Sequence, residues 1–119
     1  MQITMKYGRK GLPIELPDGL KVDVIRKKAM PILKDPTAAV RFGLSHPVGC
    51  QPLKKEVRGT KSICIAICDI TRPVPHGIVL PVLIRELIDA DVNPASITLL
   101  IATGLHRPNE GEELRELIG

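Results

Sequence analysis

Two apolar runs, Ser62-Ile-Cys-Ile-Ala-Ile-Cys68 and Ile97-Thr-Leu-Leu-Ile-Ala-Thr103, flank a helical pattern, and nothing else in the sequence restricts the fold as tightly. Each run is short and bounded by polar or turn residues, as expected of a parallel strand buried on both faces. Between them, residues 78–90 place Val79, Val82, Leu83, Leu87 and Ile88 on a wide apolar helical face. Pro81 fits the first turn of that helix or marks a kink in it. Asn93-Pro94 is a turn. After the second run, Asn109 is expected to cap a last helix over 110–118, whose early acidic residues suit its N-terminal dipole. Strand, helix, strand, helix predicts parallel strands joined by a right-handed crossover. The expected class is α/β, with a β-hairpin lead-in followed by a Rossmann-like βαβα unit, in one domain spanning residues 1–119.

The lead-in is less regular. Residues 2–6 and 12–16 read as strands joined across Tyr7-Gly8-Arg9-Lys10-Gly11, whose two glycines suit a hairpin loop. Pro17-Asp18-Gly19 is a second turn, and residues 20–25 alternate apolar with polar, as a half-buried strand does. Asp35 before Pro36 is a helix-start signal, a carboxylate cap followed by proline at the first helical position. That helix should end before Pro47, with His46 beside its last carbonyls. A short charged helix is expected over 53–58.

Composition excludes several functions. The 119 residues are 44% hydrophobic and 25% charged, an ordinary globular balance. The apolar stretches are too short and too interrupted to span a membrane, and no secretory leader is visible, so the expected compartment is the cytoplasm. Net charge is +4, but residues 1–61 hold 13 Lys and Arg against 5 Asp and Glu, while residues 62–119 hold 4 against 8. A basic surplus spread over one half, with aromatics at 2%, offers neither an electrostatic track nor a stacking platform for nucleic acid. Three cysteines, Cys50, Cys64 and Cys68, give no disulfide framework. Cys64 and Cys68 lie about 13 Å apart on a strand and read as core residues. Neither a P-loop nor a Gly-x-Gly-x-x-Gly fingerprint occurs.

The chemistry gathers in the two loops that leave the carboxyl ends of the strands, the edge where open α/β sheets place ligands. Asp69-Ile70-Thr71-Arg72-Pro73 brings a carboxylate, a hydroxyl and a guanidinium into four residues. Arginine suits bidentate capture of a carboxylate or phosphate. The same residues also fit a turn capped by Asp69, with Arg72 paired to an acidic neighbour. In Gly104-Leu105-His106-Arg107-Pro108, His106 is the candidate general acid/base, and Arg107 is a second candidate for substrate binding. Gly104 allows a sharp turn or a close backbone approach. His76 either faces the same cleft or is an exposed first-turn residue. His46, His76 and His106 stand 30 residues apart on separate elements, which is no metal-ligand spacing, so no metal site is expected.

At these loops the chain resembles a known family. Asp69-Ile-Thr-Arg-Pro and Ala102-Thr-Gly-Leu-His-Arg-Pro-Asn109 look like the paired signatures of the nickel-dependent lactate racemases. Leu80-Pro-Val-Leu-Ile-Arg-Glu-Leu87, Glu113-Leu-Arg-Glu-Leu-Ile-Gly119, and the opening Tyr7-Gly8 and Leu16-Pro17 are similar too. The resemblance implies interconversion of 2-hydroxy-acid stereoisomers, an isomerase activity, with a nickel pincer nucleotide whose pyridinium ring takes up the substrate hydride. By it, His106 matches one of two acid/base histidines and Arg72 lies near the substrate carboxylate. Asp69, Thr71 and Gly104 would shape the cofactor pocket. Leu105 departs from the expected Thr, which bears on substrate range.

The family's second acid/base histidine, its cofactor-tethering lysine and its nickel-ligating histidine lie beyond Gly119. The resemblance therefore implies the N-terminal domain of a racemase, completed by a C-terminal domain in full-length relatives. Alone it is expected to be inactive and to hold no cofactor tightly. The competing expectation is a non-catalytic α/β module that binds a small anion or docks a partner protein. An unfinished sheet would also favour homo-oligomers.

Overall fold

The computed structural model of the protein describes residues 1–119. Its contacts divide the chain into two compact units, Met1–Pro31 and Ile32–Gly119.

The first unit is a hairpin. Strands β1 (Gln2–Met5) and β2 (Leu12–Glu15) pair antiparallel, with Gln2 opposite Glu15 and Met5 opposite Leu12. Gly11 closes the loop with a positive φ of 77°, and its amide donates to the Tyr7 carbonyl at 2.9 Å. A Cβ there would stand 2.9 Å from Thr4 Cγ2, so both conformation and crowding select glycine. The alternating stretch 20–25 does not form the expected strand. Alternation specifies two faces but supplies no partner edge, and Ile25 is left almost fully exposed.

The second unit carries the rest. Helix α1 (Pro36–Ser45) starts as its sequence dictates, with Asp35 Oδ1 accepting the Ala38 amide at 2.8 Å and Pro36 in the first turn. It ends at His46, whose amide donates to the Phe42 carbonyl at 2.9 Å and whose ring stacks on Phe42. A short α2 (Leu53–Glu56) follows, then β3 (Ile63–Cys68) and α3 (His76–Ile88). A 3-10 turn over Pro94–Ser96 leads into β4 (Ile97–Ala102), and α4 (Glu112–Ile118) closes the chain. Pro81 sits inside α3, on its exposed side. The strands pair in parallel, Ile63 opposite Ile97 and Cys68 opposite Ala102. The α/β class with hairpin and parallel strands is thus observed.

Two features differ from expectation. The strands are not buried on both faces. Ile63, Ile65, Ile67, Ile97, Leu99 and Ile101 pack into clusters built on Val57, Leu87 and Val92 and on Leu80 and Leu117. The alternate residues, Cys64, Ala66, Thr98, Leu100 and Ala102, are exposed. The reason is that these helices cover one face only, and the other is bare. Cys64 is therefore not a core residue, and Cys68 is only half-buried. The last helix also starts later than expected, at Glu112 behind Gly111. Asn109 does not cap it, because its side chain is turned toward the first loop.

Glu86, with a side chain only 12% accessible, fastens the helices together. It receives Arg41 of α1 at 3.1 Å and Lys54 of α2 at 3.2 Å. An almost dehydrated carboxylate needs such partners, since leaving it unpaired would be strongly destabilising.

Candidate functional site

Because Cys68 and Ala102 end their strands side by side, the two polar loops start together. Asp69, the first residue of the first loop, has a side chain only 4% accessible. Its Oδ1 accepts the Thr71 hydroxyl at 2.6 Å and the Thr71 amide at 3.0 Å, a side-chain-closed turn. Its Oδ2 accepts a hydrogen bond from His106 Nδ1. An ionised carboxylate has no proton to give, so Nδ1 carries the hydrogen, and in the neutral ring the lone pair lies on Nε2. The His106 side chain is 49% accessible, and Nε2 has no partner within the protein. This arrangement presents a base whose tautomer is fixed from behind.

The electrostatics agree. The Asp69 carboxyl is lowered to about 2, first by the Thr71 hydroxyl and next by the His106 hydrogen bond, against the opposing effect of burial. Asp69 thus stays charged under any ordinary condition. The His106 amide donates to the Thr103 carbonyl at 3.0 Å, which turns the second loop back. Gly104 makes that reversal with φ of 58°; no atom lies within 4 Å of a Cβ there, so conformation rather than crowding favours glycine.

A further residue joins the loops. Asn109, buried at 8% exposure, accepts the Ile70 amide at 3.3 Å and donates to Glu113 Oε2 at 3.3 Å. Glu113 in turn grips Arg107 through two hydrogen bonds of 2.7 and 2.5 Å. The pairing raises the Arg107 guanidinium and lowers the Glu113 carboxyl. Arg107 is therefore committed to Glu113.

Cys68, Asp69, Arg72, Ala102, Thr103, Gly104, Leu105 and His106 line a recess of about 290 Å³. Arg72 also borders an adjoining recess of about 330 Å³, which includes His76 and Glu116. The Arg72 guanidinium makes no ion pair, and its backbone amide closes the turn onto the Asp69 carbonyl at 3.2 Å. Asp69, Arg72, Gly104 and His106 are thus brought to one edge, with Thr71 supporting them. His76 takes neither expected place, since it is buried and its Nε2 lies 3.7 Å from Cys68 Sγ.

Sequence reasoning missed the Asp69–His106 pair, the Asn109 tie and the Glu113 grip. The parallel register could have signalled the first, because residues following Cys68 and Ala102 must start side by side. Three or more His, Cys, Asp or Glu side chains nowhere converge as a metal requires. This donor set does not fit a nickel ion held by the chain.

The match to known proteins spans the whole chain. The family described as "Lactate racemase N-terminal domain" matches residues 7–119. The lactate racemase of Thermoanaerobacterium thermosaccharolyticum is 34% identical over 119 residues, covering 98% of this chain and 28% of the relative. That of Lactiplantibacillus plantarum is 45% identical over 76 residues, covering 63% of this chain and 18% of the relative. The structure of the Thermoanaerobacterium lactate racemase apoprotein superposes on all of this chain and 27% of its own, with a TM-score of 0.74 and 32% identity. The matched parts therefore span 18 to 28% of those proteins' length, and both relatives continue far beyond them. Sequence, fold and the two loops agree: the chain belongs to the lactate racemase N-terminal domain family.

Proposed function

We propose that this chain supplies one acid/base arm and the carboxylate anchor of a 2-hydroxy-acid racemase or epimerase. The observation that carries the reading is the Asp69–His106 pair, with a free Nε2 in the same recess as the unpaired Arg72. Arg72 holds the substrate carboxylate. His106 Nε2 accepts the proton of the 2-hydroxyl on its own face of the substrate, while the α-hydrogen and its electron pair would pass to a hydride acceptor that the residues of this chain do not supply. Asp69 is a positioning residue that keeps Nδ1 protonated and steadies the imidazolium once it forms. Thr71 holds Asp69. Asp69, Thr71 and Gly104 also form the wall against which a cofactor would lie. Arg107 reaches substrate only by leaving Glu113.

The nickel pincer nucleotide that the family resemblance implies finds no metal-ligand set here, and no step is routed through it. One base addresses one face of a stereocentre, so the chain alone is expected not to racemise lactate. The parts that complete the site would lie outside these 119 residues, with the cytoplasm as the expected compartment.

Titration of the 15N-labelled chain with L- and D-lactate, followed at the His106 ring nitrogens, tests the reading. Lactate is expected to shift Nε2, propionate (which lacks the hydroxyl) to shift it less, and Arg72→Ala to remove both responses. Equal shifts with lactate and propionate, or none with either, would sink the proposal. So would racemisation of lactate by the 119-residue chain alone.

The second reading, a partner-docking module, draws on the bare sheet face that exposes Ala66, Thr98, Leu100 and Ala102. Light scattering that finds a monomer at high concentration would remove its self-association form.

A further inference from the structure

The recess has a second reactive group that the acid/base reading does not use. Cys68 ends β3 one residue before Asp69 and lines the recess with Arg72 and His106. Its Sγ lies 3.7 Å from His76 Nε2. The imidazole is held at the start of α3 with 6% residual exposure, so the ring has little freedom to leave the sulfur. A thiol beside a fixed imidazole and open to a cleft is the arrangement that activates cysteine nucleophiles. Cys50 and Cys64 are exposed and have no such neighbour, so the chain contains its own controls.

We propose that Cys68 and His76 form an imidazole-assisted thiol that small electrophiles alkylate selectively, those bearing a carboxylate ahead of neutral ones. With iodoacetamide, Cys68 Sγ bonds to the methylene carbon as the C–I bond breaks. Iodide leaves with the electron pair, and the thiol proton passes to His76 Nε2 and then to solvent. With iodoacetate the same step occurs while Arg72 holds the reagent's carboxylate in the shared recess. The charge preference rests on the anchoring role given to Arg72 above, whereas the thiol activation does not. Once attached, the carboxymethyl group occupies the recess beside His106 and blocks anion binding there.

The test is limited labelling of the full 119-residue chain with each reagent separately, then peptide mass spectrometry giving a rate for each cysteine. Cys68 is expected to outpace Cys50 and Cys64 with iodoacetamide despite its lower exposure, and to lose that lead in denaturing urea. His76→Gln is expected to slow Cys68 by about tenfold or more, leaving Cys50 and Cys64 unchanged. Should that variant unfold, the native-versus-urea comparison of the unaltered chain still decides. A native Cys68 no faster than Cys50 and Cys64, or a lead that persists in urea, would overturn the activated thiol. The iodoacetate-to-iodoacetamide rate ratio should be higher at Cys68 than at the other two, and should fall to theirs in Arg72→Gln. A ratio equal at all three cysteines in the unaltered chain removes the carboxylate preference and counts against Arg72 as an anion anchor, while a surviving lead with iodoacetamide leaves the activated thiol standing.

Discussion

The two loops at the carboxyl edge of the sheet are built on opposite plans. The first, led by Asp69, is closed on itself. Its carboxylate is buried and accepts three hydrogen bonds, and its Ile70 amide is taken by Asn109. The second is open, with His106 half accessible and Leu105 fully exposed. The difference separates two tasks. A base must reach a ligand and cannot be buried, yet its orientation must be fixed to avoid an entropic loss at each encounter. Here Asp69 of the first loop sets the orientation of the base and the open second loop carries the base to the ligand.

The comparison can be broken most severely from below. Leu80 and Leu117 lie in the apolar cluster with Ile67, and Ile70, in the first loop, and Ile101, near the end of β4, pack against it. Leu80→Ala should cost about 2–5 kcal/mol in urea unfolding, and both loops should lose their order together. A loss under about 1 kcal/mol would mean the cluster does not support them.

Removing the tie is next. Asn109→Ala leaves the Ile70 amide without its acceptor and should cost about 1–3 kcal/mol by the same measurement. It should also weaken the His106–Asp69 contact, seen as a change in the His106 Nδ1 resonance. An unchanged resonance would show the loops to be independent.

Asp69→Asn sharpens the comparison without disturbing packing. The amide can still accept from Thr71 but presents N–H groups to His106, so the imidazole should switch to the Nε2–H tautomer. Nitrogen-15 spectra report this directly, and lactate should then no longer shift Nε2.

Acid gives a further check. Asp69 has a folded value of about 2 against an ordinary 3.8. A lowered carboxyl stabilises the fold fully above its unfolded value, and that contribution fades as pH falls through the folded one. The Asp69 carboxyl carbon should therefore titrate near 2, and a midpoint close to 3.8 would show the Thr71 and His106 bonds absent.

The smallest effect is expected at Glu113→Gln. An exposed ion pair adds little to stability, so the unfolding midpoint should hardly move. Freed Arg107 should tighten lactate binding by a few-fold at most, and unchanged binding would remove it as a substrate group.

Much of this architecture is legible in the order of the amino acids alone. Asp35-Pro36 announces a helix start because capping is local chemistry, and it occurs as read. The two apolar runs give both strands to within a residue or so. What their overall apolar character does not disclose is how many layers cover them. The alternation of Ile63, Ile65 and Ile67 with Cys64 and Ala66 held that information, in small side chains on the bare side. The segment 20–25 shows the converse, a strand pattern without an edge to join. At the site, residue types were legible one loop at a time. The Asp69–His106 bond spans 37 positions and depends on register, as does the turning of Asn109 away from helix capping.

That Asn109 tie has a temporal consequence. The Ile70 amide hydrogen is held by a side chain from the other loop, so it meets solvent only when the two loops part. Its exchange with deuterium is thus a clock for opening of this edge. A ligand bridging Arg72 and His106 would slow that clock, even if it never touched Ile70.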